Sequence, residues 1–579
     1  MPRRSFRTLP LAALTVAVTL LAAHPASGQI LARLPIDLLG LLRGEASSAR
    51  ITVIVEVPES VVAPLAEAHG LTVEKRLLAG AVLTGTADQI RALAGDPRVA
   101  SLAIDRPVVA TQTTDTRATG ADDVWPRGLS LLGGSDGVDG RGIGVAVIDS
   151  GITPHPDYLG RVLASRDFVV PGGDGRDAYG HGTHVAGIIA GNGTASLALN
   201  RRLYKGMAPA AQLINLRVLD GDGTGVTSDV IEAIDWCLQN RTRFNIRVIN
   251  LSLGHPPFEA PADDPLVHAV TRAVAAGLVV VTSAGNDGKL PDGTLVVGGI
   301  VSPGVAADAI TVGAVNTRGT VRRSDDLLAT WSSRGPAGLE SSPETWLLKP
   351  DLVAPGNALV STAQPGSRLW EDLPDRRQRG IGGGYLVLSG TSMATPAVSG
   401  AVALLLDARP DLRPADVKFL LQVTAQLLPR YGLIEQGAGM LNVSLALAVA
   451  HARPGGPMPT SSWIAGERID AGGLYFTQAG GTSLVSGIQV DWNGRTWPGN
   501  TAAFGATTLW SNGDVWGTSL VWGNGLVWGN GLVWGNSLVW GNSLVWGNSL
   551  VWGNSLVWGD GLVWGNGLVW GNADRGGAR

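Results

Sequence analysis

The stretch from Val124 to Ala452 predicts an α/β fold, a mostly parallel sheet with helices on both faces. Two observations carry this. Its strands, Gly144 to Asp149, Leu213 to Leu219, Val248 to Leu253, Leu278 to Ser283 and Ile310 to Val315, are continuous apolar runs, the pattern of strands buried on both sides. Helical stretches lie between most of them, at His181 to Ala190, Val230 to Leu238 and Leu266 to Ala276, as parallel connections require. In such sheets ligands gather at the carboxyl ends of the strands, where Asp149 and Ser283-Ala284-Gly285-Asn286 stand. A third observation is that the pattern changes on either side of this stretch, so the 579 residues read as several segments.

Residues 1–28 read as a signal peptide. Arg3, Arg4 and Arg7 precede the apolar run Leu9 to Ala23, and Ala26-Ser27-Gly28 supplies small residues for cleavage. Arg3-Arg4-Ser5-Phe6 leaves twin-arginine export open beside general secretion. No later segment reaches about 18 unbroken apolar residues, so no transmembrane helix is expected in the mature chain. Residues 29–110 hold a compact αβ unit. Ile51 to Val57 is a β-branched strand, and Val61 to His69 is a helix stopped by Gly70. Leu71 to Thr86 makes two strands turning at Ala79-Gly80; Ala87 to Ala94 is a helix ended by Gly95, and Val99 to Val108 is a last strand. The order β-α-β-β-α-β is the ferredoxin-like split unit. Residues 111–123 are polar and aperiodic, an exposed linker suited to proteolysis.

The α/β domain spans 124–452, and 453–508 is a linker, opened by Pro454-Gly455-Gly456-Pro457, with a β-rich connector. From 509 to 572 a hexapeptide, Leu-Val-Trp-Gly-Asn-Ser, repeats, and a polar terminus fills 573–579. Six is even, so an extended chain returns each Trp to the same face, while Gly-Asn supplies turn chemistry. Ordered β structure, either a stacked solenoid or a series of very short hairpins, competes with a low-complexity tail that stays disordered or self-associates.

The charge balance, 44 Lys+Arg against 48 Asp+Glu, gives no reason to expect a nucleic acid or an anionic membrane as partner. The single cysteine, Cys237, excludes an intramolecular disulfide and reads as a buried small hydrophobe.

Chemistry converges on three motifs. Asp149-Ser150-Gly151 follows a buried strand, His181-Gly-Thr-His-Val-Ala-Gly187 opens a helix, and Gly390-Thr-Ser-Met-Ala-Thr-Pro396 opens another. A serine nucleophile such as Ser392 needs a base, and a histidine base such as His181 needs a carboxylate, Asp149, to hold its tautomer. Each motif alone has a plainer reading: Ser392 as an N-cap, Asp149 as a strand end, Asn286 as a turn residue. His181 and His184 at i, i+3 have zinc-ligand spacing, but no third ligand cluster accompanies them. The order Asp, His, Ser is that of the subtilisin arrangement.

At these residues the chain resembles the subtilisin-like serine proteases. The resemblance covers the three motifs and Ser283-Ala-Gly-Asn-Asp-Gly288. It implies a subtilisin-like fold and a secreted serine endopeptidase acting through an acyl-enzyme. In that role Asp149 orients, His181 is base and then acid, Ser392 attacks, and Asn286 stabilises the oxyanion. It further implies protein or peptide substrates lying between Gly223-Thr224-Gly225 and Ser252-Leu253-Gly254. The ferredoxin-like segment becomes a propeptide that assists folding and blocks the groove until cut near Val108 to Thr114. No cofactor is implied for the chemistry. A structural calcium is left open: Asp157 matches a calcium ligand of many relatives, but Gly191 to Lys205, with Arg201 and Arg202, matches little of the rest. The rival expectation is a surface-binding or self-assembling protein whose Trp repeats make cell-surface contact and whose peptidase serves maturation.

Overall fold

Gly144–Asp149 lies at the centre of an eight-stranded sheet. On one side of it follow Gln212–Arg217 and then Val162–Asp167; on the other follow Ile246–Leu251, Val279–Ser283 and Ile310–Asn316. Leu352–Pro355 pairs in parallel with Ile310–Asn316, and the short Leu327–Leu328 is the antiparallel member. The computed structural model describes residues 38, 42, 50–105, 107–110, 116–126, 137–196, 203–339, 346–428, 431–452 and 459–479, with the backbone of short strands between 482 and 570. The segment expected as a signal peptide, 1–28, lies outside the described residues.

The period-2 geometry of the central strand splits its side chains between two cores. Val145 and Val147 pack with the helices His181–Ala190 and Thr391–Ala408, while Ala146 and Ile148 face the helices Thr227–Asn240 and Pro265–Ala275. Because successive connections leave Gly144–Asp149 in opposite directions, its carboxyl end is the switch point of the sheet, and Asp149 stands there. Thr391–Ala408 is long and apolar enough to cross a membrane by length and composition, but 89% of it is buried as the core helix.

The segment before this domain forms a separate four-stranded sheet in the order Thr72–Leu77, Gly80–Thr86, Arg50–Val55, Leu102–Ile104, with helices Glu59–His69 and Ala87–Ala94. Gly70 ends the first helix at φ 64, as a C′ glycine should. A capping box between Thr86 and Gln89 opens the second. One reading needs correction. Val99 to Val108 is not a single strand: Leu102–Ile104 pairs with Arg50–Val55, and Pro107–Ala110 leaves for a different sheet. A proline has no N–H to give a ladder, so Pro107 is a natural break.

The segment docks on the helix pair Thr227–Asn240 and Pro265–Ala275. Ile54, Leu77 and Val82 are buried in the same core as those helices, and each such side chain is worth about 1.5–3 kcal/mol relative to exposure. Polar contacts set the register. Asp105 accepts from Ser228 N–H at 2.7 Å at the start of the longer helix, Asp235 accepts from Leu78 N–H at 2.7 Å, and Lys75 pairs with Asp229.

Part of the stretch expected as linker is packed. Arg117–Thr119 and Ala121–Val124 are helical turns, and Ala118, Thr119 and Ala121 are fully buried. At the other end, the hairpin Ser461–Ile464 with Glu467–Asp470 buries Ile464 and Ile469, and Glu467 accepts from Arg323 N–H at 2.7 Å.

In the repeat, the strands from Thr507–Trp510 to Leu568–Trp570 pair in parallel, alternate units forming two sheets. Each residue pairs with the one twelve positions on, as Trp510 with Trp522 and Trp516 with Trp528. The backbone is thus a two-sheet stack rather than a row of hairpins, whose strands would be antiparallel. Consecutive Trp residues fall on different sheets, as Trp510 and Trp522 do on one and Trp516 and Trp528 on the other.

Candidate active site

The three motifs meet at the switch point. Asp149, His181 and Ser392 are all fully buried. His181 Nδ1 lies 2.6 Å from Asp149 Oδ1, which also accepts from Ser150 N–H at 2.7 Å. His181 is the first residue of its helix, and Gly182 follows because a Cβ there would run into the Gly151 carbonyl. Ser392 is the second residue of Thr391–Ala408, where free N–H groups and the helix dipole favour negative charge. Asn286 Oδ1 accepts from Thr391 N–H at 3.0 Å, so its amide oxygen is engaged by the helix carrying Ser392, leaving the amide NH2 to be aimed elsewhere. Thr391 reinforces this by accepting from Gly285 N–H at 3.1 Å. A carboxylate-held imidazole, a hydroxyl at a helix start and an amide donor can carry out acyl transfer.

One supporting residue had no signal in the sequence. Asp177 is buried and accepts from Ser150 Oγ at 2.8 Å, Gly180 N–H at 2.6 Å and Thr183 N–H at 2.7 Å. Ser150 Oγ accepts in turn from Gly182 N–H at 2.9 Å. This clamps the strand end bearing Asp149 to the helix start bearing His181. Burial pushes the Asp177 carboxyl above its ordinary value, and the donors around it oppose that shift.

The second motif histidine is separate. His184 Nε2 is 3.1 Å from the Leu386 carbonyl, and burial pushes its imidazole down to about 3. Among the described residues no group of three or more His, Cys, Asp and Glu could hold a metal ion. Asp157 does not fit a calcium ligand here. Its Oδ1 accepts from Ala195 N–H at 2.8 Å and its Oδ2 from Tyr385 O–H at 2.7 Å. The Arg161 guanidinium donates to the Ala190 and Ala211 carbonyls beside it, so cationic charge already fills that corner. Cys237 is buried, and burial pushes its thiol up, away from reactivity.

The two expected groove edges flank one strand. Pro107–Ala110 runs between Leu253–Gly254 and Thr224–Val226 in a three-stranded antiparallel sheet, with Val109 opposite both Gly254 and Thr224. Gly223, at φ 79, passes against the Tyr179 ring, where a Cβ would collide. Ser252 does not line this strand pairing; its hydroxyl donates to the Ser392 carbonyl at 2.6 Å.

Comparison with known proteins is consistent with this geometry. The model of the Subtilase family matches residues 140–446, a range containing Asp149, His181, Asn286 and Ser392 but neither the preceding αβ segment nor the repeat. Serine protease AprX of Bacillus subtilis is 39% identical over 326 residues, 55% of this chain and 67% of the relative. An extracellular serine proteinase of a Thermus species is 34% identical over 331 residues, 57% of this chain and 66% of the relative. Subtilisin E of Bacillus subtilis is 37% identical over 316 residues, 54% of this chain and 67% of the relative. The alignments thus span about two thirds of each relative.

Proposed function

Since the chain belongs to the subtilase family and is a subtilisin-like serine peptidase, we propose that it is a secreted endopeptidase made as a self-processed precursor. Ser392 attacks the scissile carbonyl while His181 takes its proton. Asp149 stabilises the imidazolium, and Asn286 donates to the oxyanion. His181 then protonates the leaving amine, and water releases the acyl group by the same route. The observation that supports the reading is that the Asp149–His181 contact stands at the end of one strand while Ser252, at the end of the neighbouring parallel strand, holds the Ser392 carbonyl. Protein or peptide substrates add as a strand between Thr224–Val226 and Leu253–Gly254, as Pro107–Ala110 does. That occupied groove supports reading 29–110 as an intramolecular inhibitor. No cofactor takes part in the chemistry. Mapping the ends of the secreted protein tests the proposal: the mature N-terminus should fall within Val108 to Thr114, in a product that digests casein. A secreted product that keeps residues 50–105 attached and still digests casein would overturn the precursor reading.

Release of the inhibitory segment should depend on pH. Glu56 of that segment accepts from His268 Nδ1 at 2.5 Å, while His268 Nε2 lies 2.9 Å from the Ala262 carbonyl. Both ring nitrogens face acceptors, so the doubly protonated ring fits best. The Glu56 hydrogen bond raises the His268 pKa above 6.5, against burial, with Asp264 adding to it. Arg272, 3.4 Å from both Glu56 and Asp235, shares the pocket. A raised folded value means the contact is fully present below the free imidazole range and is lost as pH rises through the raised value. The segment should therefore dissociate from the cut precursor more readily at pH 8 than at pH 6, by roughly two- to fivefold. His268→Gln should flatten the dependence; an unchanged slope would exclude this pair as its source.

A second reading concerns the repeat, and the twelve-residue parallel register favours it, because stacking brings identical Trp positions into line. In this reading the tail attaches the enzyme to a cell surface or to other copies. Deleting 509–572 should leave peptidase activity and secretion intact and abolish retention on the cells. Unchanged retention would rule the role out.

A further inference from the structure

We propose that Ser252 is a positioning residue for Ser392, holding the backbone carbonyl of the nucleophile through a buried chain of hydrogen bonds; this rests on the reading of Ser392 as the nucleophile. The need for it begins at Pro396. In an α-helix the carbonyl of residue i accepts from the N–H of residue i+4, so the donor to Ser392 should be residue 396. That residue is a proline inside Thr391–Ala408, and it has no N–H. The helix therefore withholds its ordinary donor from the nucleophile.

Ser252 supplies a replacement. Its Oγ donates to the Ser392 carbonyl at 2.6 Å, and accepts from Asn250 Nδ2 at 2.9 Å. Asn250 Oδ1 accepts from Ser399 Oγ at 2.8 Å. Asn250, Ser252, Ser392 and Ser399 are all fully buried, so bulk solvent does not compete for any link. The protons all point the same way, from Ser399 through Asn250 and Ser252 to Ser392, which lets each bond polarise the next. The chain leaves the helix at Ser399 and returns to it two turns earlier at Ser392. It passes through the end of the strand Ile246–Leu251, the strand that leads into the groove edge Leu253–Gly254. The nucleophile is thereby braced against the element that receives substrate, and the Ser252 proton is committed to that task rather than to substrate.

Kinetics on the full-length protein after processing separate this role from a groove-edge role. Ser252→Ala should lower kcat by about tenfold with KM nearly unchanged, and slow fluorophosphonate labelling at Ser392 by the same factor. Ser399→Ala, at the far end of the chain, should do so more weakly. Pro396→Ala restores a helical N–H to the Ser392 carbonyl, so in that background Ser252→Ala should cost much less. A raised KM at unchanged kcat, an unchanged labelling rate, or an equal Ser252→Ala penalty in both backgrounds would overturn the proposal. If Ser252→Ala does not fold, loss of labelling rate in folded Ser399→Ala carries the test, and an unchanged rate there overturns it. Persistent labelling of Ser392→Ala protein would instead refute the nucleophile itself, independently of Ser252.

Discussion

Ser392→Ala is expected to yield an uncut precursor and to lower kcat by about 10⁶-fold, the size found for the corresponding change in subtilisin. The substitution removes the attacking oxygen and leaves the rest of the site standing. The Asp149–His181 contact, the Asp177 clamp and the Asn286 bond to Thr391 do not involve the Ser392 side chain. The Ser392 carbonyl can still accept from Ser252, since that bond is to the backbone. The variant should therefore melt near the wild-type temperature, and its pro-segment should stay joined through Ala110 to the groove. Intact-mass measurement reads the uncut chain, and casein digestion reads the residual activity. Full processing of the purified variant, or casein cleavage at the wild-type rate, would remove Ser392 from the mechanism.

Asp149→Asn should cost about 10⁴-fold in kcat, the size known for this change at the orienting aspartate of serine proteases. The carboxylate can only accept, and at 2.6 Å it fixes the proton on His181 Nδ1, leaving Nε2 free to act as a base. An asparagine amide can offer N–H to the same nitrogen and so favour the wrong tautomer. It also removes the negative charge that faces the imidazolium formed during attack. Fold and binding should survive, because Ser150 and Asp177 still tie the strand end to the helix. Near wild-type KM with a collapsed kcat on a peptide anilide is the expected pattern. A loss below tenfold would show that His181 does not depend on Asp149.

The motif residues were legible because each lies in a short contiguous signature. Asp149 ends an apolar strand, His181 and Ser392 open helices with small residues, and Asn286 sits in a glycine turn. Their partners were not. Ser252 stands 140 residues from Ser392, and Asn250 stands 149 from Ser399, so only packing of strand against helix creates those bonds. Asp177 carries no local pattern that distinguishes it from a solvated loop aspartate. The strand Val162–Asp167 carries little sequence signal because it is an edge strand with a mostly exposed, alternating pattern. The linker boundary failed for the opposite reason: Ala118, Thr119 and Ala121 are too small and polar in context to announce burial.

By itself, the sequence determined the α/β class, the split βαβ unit before it, the six-residue period after it, and which residues could carry the chemistry. These depend on local periodicity and on residue type, which the chain displays without being folded. The tertiary structure alone decided the order of the strands, and hence that the carboxyl end of Gly144–Asp149 is a switch point. It decided that Pro107–Ala110 lies between Leu253–Gly254 and Thr224–Val226 rather than in the four-stranded sheet of the preceding segment. It turned a six-residue period into a twelve-residue register. It also spent both oxygens of Asp157 on Ala195 and Tyr385. Each of these is a choice of partner across long separations, and a buried polar or backbone group takes its partner from whatever the packing brings within reach.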